Sequence, residues 1–522
     1  MQKQSFVRGT FILTAASLTT RILGFVSGIF LARTLGAEGI GLLMMAHPLV
    51  PLVITLTELG LPVAISKMVA EADVKGDKLK EKRILAVSLA ITGTLSVILT
   101  LAALLGSKYI AALFLTDQRA YYAMLAITPI APIVAISAVL KGYFRGKQHM
   151  MSIALSDIFE HIAHIACMLA LVQLLLPYGI EYAAAGAMVG SVVGEGVGLL
   201  YLFSKYKWNA RGDANRQKAS EHLRHGKRTF AELMRMGLPT TGLGFVHSIY
   251  SAFQPMLITK SLALFGLGTA MATKQYGMLV GYAFPLLVFP SFITHSLSTA
   301  LIPAVSEAMA NRNGMDVHRR MDQAMRIAML VGAPATVILY IWATPLTTLL
   351  YKSPEAGPLL KLLAPIFFLH YFEAPLHAVL LGLGKAGTTM WNYIAMTIMK
   401  AAAIYFLGSQ FGITGIVLGM NFGICFITML NFFSISGFIG FYLDLRRIVK
   451  TAICMAVMAF AGQYGFSYAK HIGMTELWGM LASIGFALAV FMIALLLTNS
   501  INARSVFRFG GFGSGGPASL RK

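Results

Sequence analysis

The chain has 522 residues, of which 57% are hydrophobic and 12% charged, and its formal net charge is +21. Soluble domains carry roughly 25% charged residues and about 45–50% apolar ones, so this balance, with a mean hydropathy of +0.72, excludes a soluble enzyme, a disordered chain and a disulfide scaffold. A transmembrane barrel would show alternating segments of about ten residues. Here stretches of about 20 apolar residues recur from end to end, the length a helix needs to cross a bilayer, and the expected fold is an all-α membrane protein.

Taken in chain order, about fourteen spans are expected, at 6–34, 40–66, 84–106, 121–142, 150–176, 183–204, 236–259, 275–305, 324–346, 359–382, 389–409, 412–441, 449–468 and 476–499. Lys3 and Arg8 precede the first stretch in the manner of a signal peptide, but Arg21 interrupts it and no small-x-small cleavage site ends it, so a retained first helix is expected. Prolines inside the spans, among them Pro48, Pro51, Pro129, Pro132, Pro285, Pro290, Pro334, Pro365 and Pro375, predict kinks. Bent helices suit a transporter better than a rigid anchor.

Lysine and arginine fix the orientation. About 32 of the 42 basic residues fall on one set of loops, including Lys67 to Arg83, Lys141 to Lys147, Lys205 to Arg235 and Arg312 to Arg326. About seven fall on the alternate loops, and the asymmetry stays in phase throughout. Both termini are therefore expected in the cytoplasm of a multi-pass cell-membrane protein. The basic residues form short clusters with no continuous basic face, so nucleic acid is not an expected partner. Cys167, Cys425 and Cys454 lie singly in apolar stretches, where neither a disulfide nor a zinc site is expected.

The two halves resemble each other at a spacing of about 240 residues. "LPVAISKMVAEA" at Leu61 recurs as "IPAVSEAMA" at Ile302, "LKGYFRGK" at Leu140 as "LLGLGK" at Leu380, and "GIEYAAAGAMVG" at Gly179 as "GITGIVLG" at Gly412. This predicts a six-helix lobe at 1–206, a basic cytoplasmic linker at 207–228, a second six-helix lobe at 229–443, two additional helices at 444–500 and a Gly/Ser-rich cytoplasmic disordered tail at 501–522. Parallel repeats of this kind carry a substrate path between lobes.

Ionisable residues at bilayer depth cost about 2.5–3.5 kcal/mol each and usually face a cavity or a partner. Arg21 lies about two turns from either end of the first span. Its guanidinium is suited to a phosphate anion; the alternative is a structural arginine that bonds carbonyls of a kinked neighbour. Asp157, Glu160, His161 and His164, at i, i+3, i+4 and i+7, share one helix face, with Lys400 at a nearly equivalent place in the second half. Such a stripe can handle protons or a cation, or simply meet water near the span end. Glu58, Glu195 and Glu373 are also intramembrane. Gly186, Gly190, Gly194 and Gly198 form a ridge around Glu195 that favours close helix packing. The substrate-binding candidates are thus Arg21, Lys400 and Lys274, and the ion-coupling candidates Glu58, Glu160, His161, His164 and Glu373. No metal site, cofactor or nucleotide motif is expected, so transport would draw on an ion gradient, the membrane potential or the substrate's own gradient.

The runs "TRILGFVSGIFLARTLGAEGIGLLMMAHPL", "ELGLPVAISKMVAEA" and "FPSFITHSLSTALIPAVSEA" resemble the stage V sporulation protein B group, within the superfamily of multidrug exporters, polysaccharide flippases and the lipid II flippase. The resemblance implies two lobes around a central cavity, alternating access, and an undecaprenyl pyrophosphate-linked glycan as substrate, carried to the outer leaflet for spore cortex or cell-wall synthesis. It also implies contact with membrane lipids and with cell-wall synthesis proteins. Arg21 in "TRILGF" matches the cavity arginine of lipid II flippases. Ser27, Gly28, Phe284 and Pro285 stand where those flippases carry charges, and Gln254 where they carry a sodium-binding aspartate. The other functions open to such a chain are a cation-coupled small-molecule exporter, with an acidic cavity, and a membrane scaffold for morphogenesis proteins.

Overall fold

The structure, a computed structural model, describes residues 6–210, 219–312, 314–440 and 444–498. Among them it is helical throughout, with no strand. The helices are α1 (Phe6–Ala46), α2 (Leu49–Glu58), α3 (Leu61–Val74), α4 (Lys78–Leu105), α5 (Ser107–Phe114), α6 (Tyr121–Ile127), α7 (Ile130–Gly146), α8 (Met150–Leu175), α9 (Ile180–Ala210), α10 (Ala219–Leu264), α11 (Thr269–Gly277), α12 (Phe284–Val288), α13 (Ser291–Ala310), α14 (Gly314–Ile341), α15 (Ala343–Tyr351), α16 (Gly357–Gly382), α17 (Ala386–Ile439), α18 (Leu445–His471) and α19 (Glu476–Leu497).

Among the described residues, 10 stretches are long and apolar enough to cross a membrane, or up to 11 with one bent pair taken as one span. Two of them exceed a single crossing, Ile12–Val74 with 63 residues and Ala386–Ile439 with 54. At about 1.5 Å per residue each is far longer than a hydrocarbon core of about 30 Å. Each is interrupted where a glycine takes a conformation closed to other residues, Gly36 (φ 67, ψ 179) and Gly412 (φ 60, ψ −140). These breaks fall at the expected boundaries between the first and second spans and between the eleventh and twelfth. The count of fourteen requires the bent pair to cross once, each broken stretch to cross twice and α10 to cross as well.

The chain forms two compact units. The first comprises Met1–Pro285, Leu350–Lys352 and Tyr393–Gly423; the second comprises Leu286–Leu349, Ser353–Asn392 and Ile424–Lys522. In the first unit the core joins α3, α4, α7, α9 and α10 through Leu61, Ile65, Met68, Ile84, Leu140, Phe144, Leu202 and Leu233. Glycines set its closest crossings. A Cβ on Gly142 of α7 would lie 2.9 Å from the Pro62 carbonyl oxygen, and one on Gly146 2.7 Å from that of Ser66, so α7 lies backbone to backbone on α3. In the second unit a Cβ on Gly382 of α16 would lie 2.7 Å from Val305 Cβ and 3.1 Å from the Ile302 carbonyl oxygen of α13. The strings that repeat between the halves therefore meet each other in the same way within each half.

The ridge on α9 packs as a ridge of small residues should. Gly186 faces Leu171 and Leu175, Gly190 faces Met168, Gly194 faces His164 and Glu160, and Gly198 faces Glu160 and Ser156 of α8. Beyond the Gly412 break, Gly415, Gly419 and Gly423 likewise meet Leu407, Ile404 and Lys400 of the preceding segment of α17. A third close contact joins α1 after its break to α11: a Cβ on Gly41 would overlap the Thr273 carbonyl, and one on Gly277 the Ala37 carbonyl. Beside it the Tyr276 hydroxyl donates to the Met44 carbonyl and the Tyr282 hydroxyl to the Ala32 carbonyl, both at 3.2 Å.

Helix occupies both ends of the 207–228 linker, since α9 reaches Ala210 and α10 starts at Ala219. Its centre, 211–218, and the 501–522 tail lie outside the described residues. The additional helices α18 and α19 pack on each other and on Trp342 of the second unit. Trp342 Nε1 donates to Ser483 Oγ at 3.1 Å, and Lys450 Nζ to the Thr498 carbonyl at 2.7 Å.

Candidate functional site

Arg21 is exposed on α1 and makes no hydrogen bond or ion pair among the described residues. Gly24 and Gly28 flank it, and a Cβ on either would meet nothing within 4 Å. Helical periodicity puts these three residues on a different face from the exposed stripe Ile22, Val26 and Phe30. The guanidinium thus stands over open, side-chain-free backbone and apart from the apolar stripe. The structural alternative, an arginine bonding a neighbour's carbonyls, has no such bond among the described residues.

The acidic stripe on α8 is held by a lysine that sequence position assigns to the loops. Lys141, in the last turns of α7, places Nζ 2.9 Å from Asp157 Oδ1 and 3.3 Å from Glu160 Oε2. Glu195 on α9 and Glu58 at the end of α2 lie within its electrostatic reach. His161 Nδ1 is 3.9 Å from Glu160 Oε1, and His164 Nε2 is 3.2 Å from Ser191 Oγ of α9. Glu160, His161 and Glu58 therefore share one network with Lys141 as its cation, while His164 bonds Ser191 instead. Four carboxylates, Asp157, Glu160, Glu195 and Glu58, stand around that one cation.

Lys400 stands elsewhere, in the seam between α10 and α17, with Nζ 5.2 Å from the centroid of the Tyr250 ring. Lys274, partly buried on α11, follows Thr273, whose hydroxyl donates to Asp117 Oδ2 at 2.9 Å. Asp117 also pairs with Arg119 at 2.8 Å, and Arg119 with Glu38 at 2.7 Å. Burial alone would push the Asp117 carboxyl up, but the hydrogen bonds from Arg119 and Thr273 outweigh it and hold the group below the usual carboxylate range. In the loop after α7, Lys147 binds Asp73 at 2.7 Å and Glu81 at 2.8 Å. Burial there would lower the ammonium's pKa, and those two bonds raise it above the ordinary lysine value. Glu373 belongs to the second unit, where its carboxylate meets His370 Nδ1 at 2.8 Å.

Sequence reasoning missed Lys141, Tyr250 and Thr397. Lys141 falls at the end of an expected span, but it opens the run to Arg145 and Lys147 and reads as the start of a basic loop. Tyrosine and threonine are ordinary in membrane helices, and nothing in their spacing marks them.

Comparison with known proteins gives a consistent placement. A family model described as polysaccharide biosynthesis protein matches residues 6–309, and the MatE model matches residues 279–406. Stage V sporulation protein B of Bacillus subtilis (strain 168) is 43% identical over 95% of this chain and 96% of its own length. Among solved structures, a lipid II flippase MurJ in an inward closed conformation aligns with TM-score 0.70 at 14% identity, over 95% of this chain and 100% of that one. An inward-facing multidrug resistance MATE family transporter aligns with TM-score 0.67 at 16% identity, over 83% of this chain and 98% of that one. The fold is thus that of these transporters.

Proposed function

Because this chain belongs to the polysaccharide biosynthesis protein family, in its stage V sporulation protein B-like group, we propose that it is a flippase for a lipid-linked glycan. Its substrate is an undecaprenyl pyrophosphate-linked sugar or peptidoglycan precursor, moved from the cytoplasmic to the outer leaflet by alternating access, for spore cortex or cell-wall synthesis. The observation that carries this reading is Arg21, an unpartnered guanidinium within an apolar span, beside open backbone at Gly24 and Gly28. A pyrophosphate supplies the acceptors that such a group lacks. The lipid tail stays in the bilayer, so only the polar head needs a protein path. The repeated strings, which meet alike in both halves, support two homologous lobes, the glycine breaks support fourteen crossings, and the lysine and arginine asymmetry supports both termini and the 207–228 linker in the cytoplasm.

The test pairs folded yield with flipping of a fluorescent undecaprenyl-linked glycan in proteoliposomes. Arg21→Ala is expected to abolish flipping with unchanged yield, since it removes an intramembrane charge and breaks no bond. Arg21→Lys is expected to retain part of the activity, having charge without the planar fork. Normal flipping by well-folded Arg21→Ala would end the reading. Labelling of Ser220→Cys from the cytoplasmic side alone is the expected topology result.

A second reading has one observation in its favour. The network of Lys141, Asp157, Glu160, Glu195 and Glu58 is rich in carboxylate, as a cation-coupled small-molecule exporter would require. Export of a cationic dye with no flipping of the glycan would select it.

A further inference from the structure

The seam between α10 and α17 holds a cation that the chain does not neutralise. Lys400 makes no hydrogen bond or ion pair among the described residues, and its one contact with a polarised group is the Tyr250 ring at 5.2 Å. A single cation–π contact offsets less than a lysine at this depth costs. The stem is held from behind by Gly423, where a Cβ would come within 2.7 Å of Lys400 Cγ and Cδ. The ammonium therefore has a fixed station and no counter-charge.

Two hydroxyls around it are equally without partners. Tyr250 Oη and Thr397 Oγ1 are buried and accept or donate no hydrogen bond. Thr397 and Lys400 are three residues apart and share a helix face. One turn earlier on that face, Tyr393 stacks on His247 of α10 with ring centroids 5.9 Å apart. Two contacts, His247 with Tyr393 and Tyr250 with Lys400, thus show that this face of α17 meets the His247–Tyr250 face of α10, with Thr397 between them.

An ammonium and two hydroxyls have donation in common. Buried donors without acceptors are costly, and what satisfies all three is an anion with several acceptor oxygens. A phosphoryl group presents them on one centre. We propose that Lys400, Thr397 and Tyr250 form an anion subsite that takes a phosphate or pyrophosphate headgroup. That the headgroup belongs to an undecaprenyl-linked substrate rests on the flippase reading; an anionic bilayer lipid would bring the same chemistry.

The full-length protein in nanodiscs, exposed to undecaprenyl pyrophosphate, undecaprenol or phosphatidylglycerol and followed by native mass spectrometry, tests the subsite. The wild type is expected to bind undecaprenyl pyrophosphate well above undecaprenol. Lys400→Gln is expected to weaken that binding by about tenfold or more, and Tyr250→Phe and Thr397→Val by about threefold to tenfold each, as for lost hydrogen bonds to a charged group. Lys400→Arg restores most of it. Should Lys400→Gln fold poorly, Tyr250→Phe gives the same reading through one oxygen atom. Phosphatidylglycerol bound as tightly, with the same response to the variants, supports the subsite and assigns it to bilayer lipid. Unchanged affinity in the folded variants, or equal binding of undecaprenol, overturns it. Binding that depends on Lys400 without any wild-type flipping overturns the flippase reading and leaves the subsite standing; flipping with unaltered binding in Lys400→Gln does the reverse.

Discussion

α9 on α8 and the late segment of α17 on its early one are built by the same rule, a glycine every fourth residue against a neighbouring backbone. Their charges are handled in opposite ways. Where Gly194 and Gly198 meet α8, the glutamates are answered by Lys141, which reaches two carboxylates at once. Where Gly423 meets Lys400, no carboxylate answers among the described residues, and the lysine rests on a ring. The first seam carries its own counter-charge, although Glu195 Oε2 finds no hydrogen bond there. The second is complete only with something added. Helix packing alone therefore does not require an intramembrane charge to be balanced within the chain.

The largest expected effect separates the two lysines directly. Lys141→Ala leaves clustered carboxylates without their cation, and should destabilise the folded protein in detergent by about 2–3 kcal/mol, below the usual figure for fully buried pairs because these side chains keep some exposure. Lys400→Ala should change stability by less than about 1 kcal/mol, since no bond is lost. Equal losses in thermal unfolding would break the contrast.

Substitutions at the two ridges sharpen it. In Gly194→Val the new Cβ would stand 2.6 Å from His164 Cβ and 2.8 Å from the Glu160 carbonyl oxygen. Backbone cannot step aside, and a loss of about 1–3 kcal/mol is expected. In Gly423→Ala the Cβ meets the Lys400 stem, which can shift, so the loss should stay under about 1 kcal/mol while anion binding falls. Unfolding curves and the nanodisc binding assay measure the two quantities separately.

How far this was legible in the sequence depends on the kind of signal. The glycine ridge and the paired strings were readable because their periodicity is local and their packing follows from it. Arg21 was readable because one charge in a long apolar run is conspicuous. Lys141 was not, because it precedes Arg145 and Lys147 and reads as the start of a basic loop, while its partners come from α8 and α9. The orphan hydroxyls of Tyr250 and Thr397 are tertiary facts: lacking a partner is a property of the assembled seam. The bend points were marked by prolines in the sequence, yet the breaks inside α1 and α17 fall on Gly36 and Gly412, where rotation rather than a missing donor is what matters.

The smallest expected effect concerns the loop cluster around Asp117, which is compensated like the Lys141 network but lies outside the spans. Its carboxyl sits below the ordinary value in the folded protein. Its contribution is therefore present above the unfolded value of 3.8 and lost as pH falls through the folded one. Asp117→Asn should lower stability near neutral pH by about 1 kcal/mol or less, and the difference from wild type should vanish at strongly acidic pH. A difference that grew on acidification would contradict the pairing with Arg119 and Thr273.

The contact of Gly41 and Gly277 with the opposite backbones has a consequence for the cell as a whole. A flippase for a large head group, as proposed above, is a hazard in a membrane that stores energy as ion gradients, because any continuous file of water short-circuits it. Where α1 and α11 touch, main chain lies on main chain at Gly41 and Gly277 and the Tyr276 hydroxyl bonds the Met44 carbonyl, which leaves no room for a side chain at either glycine. At the two glycines no rotamers have to be ordered for the contact to form, so this part of the joint costs little conformational entropy.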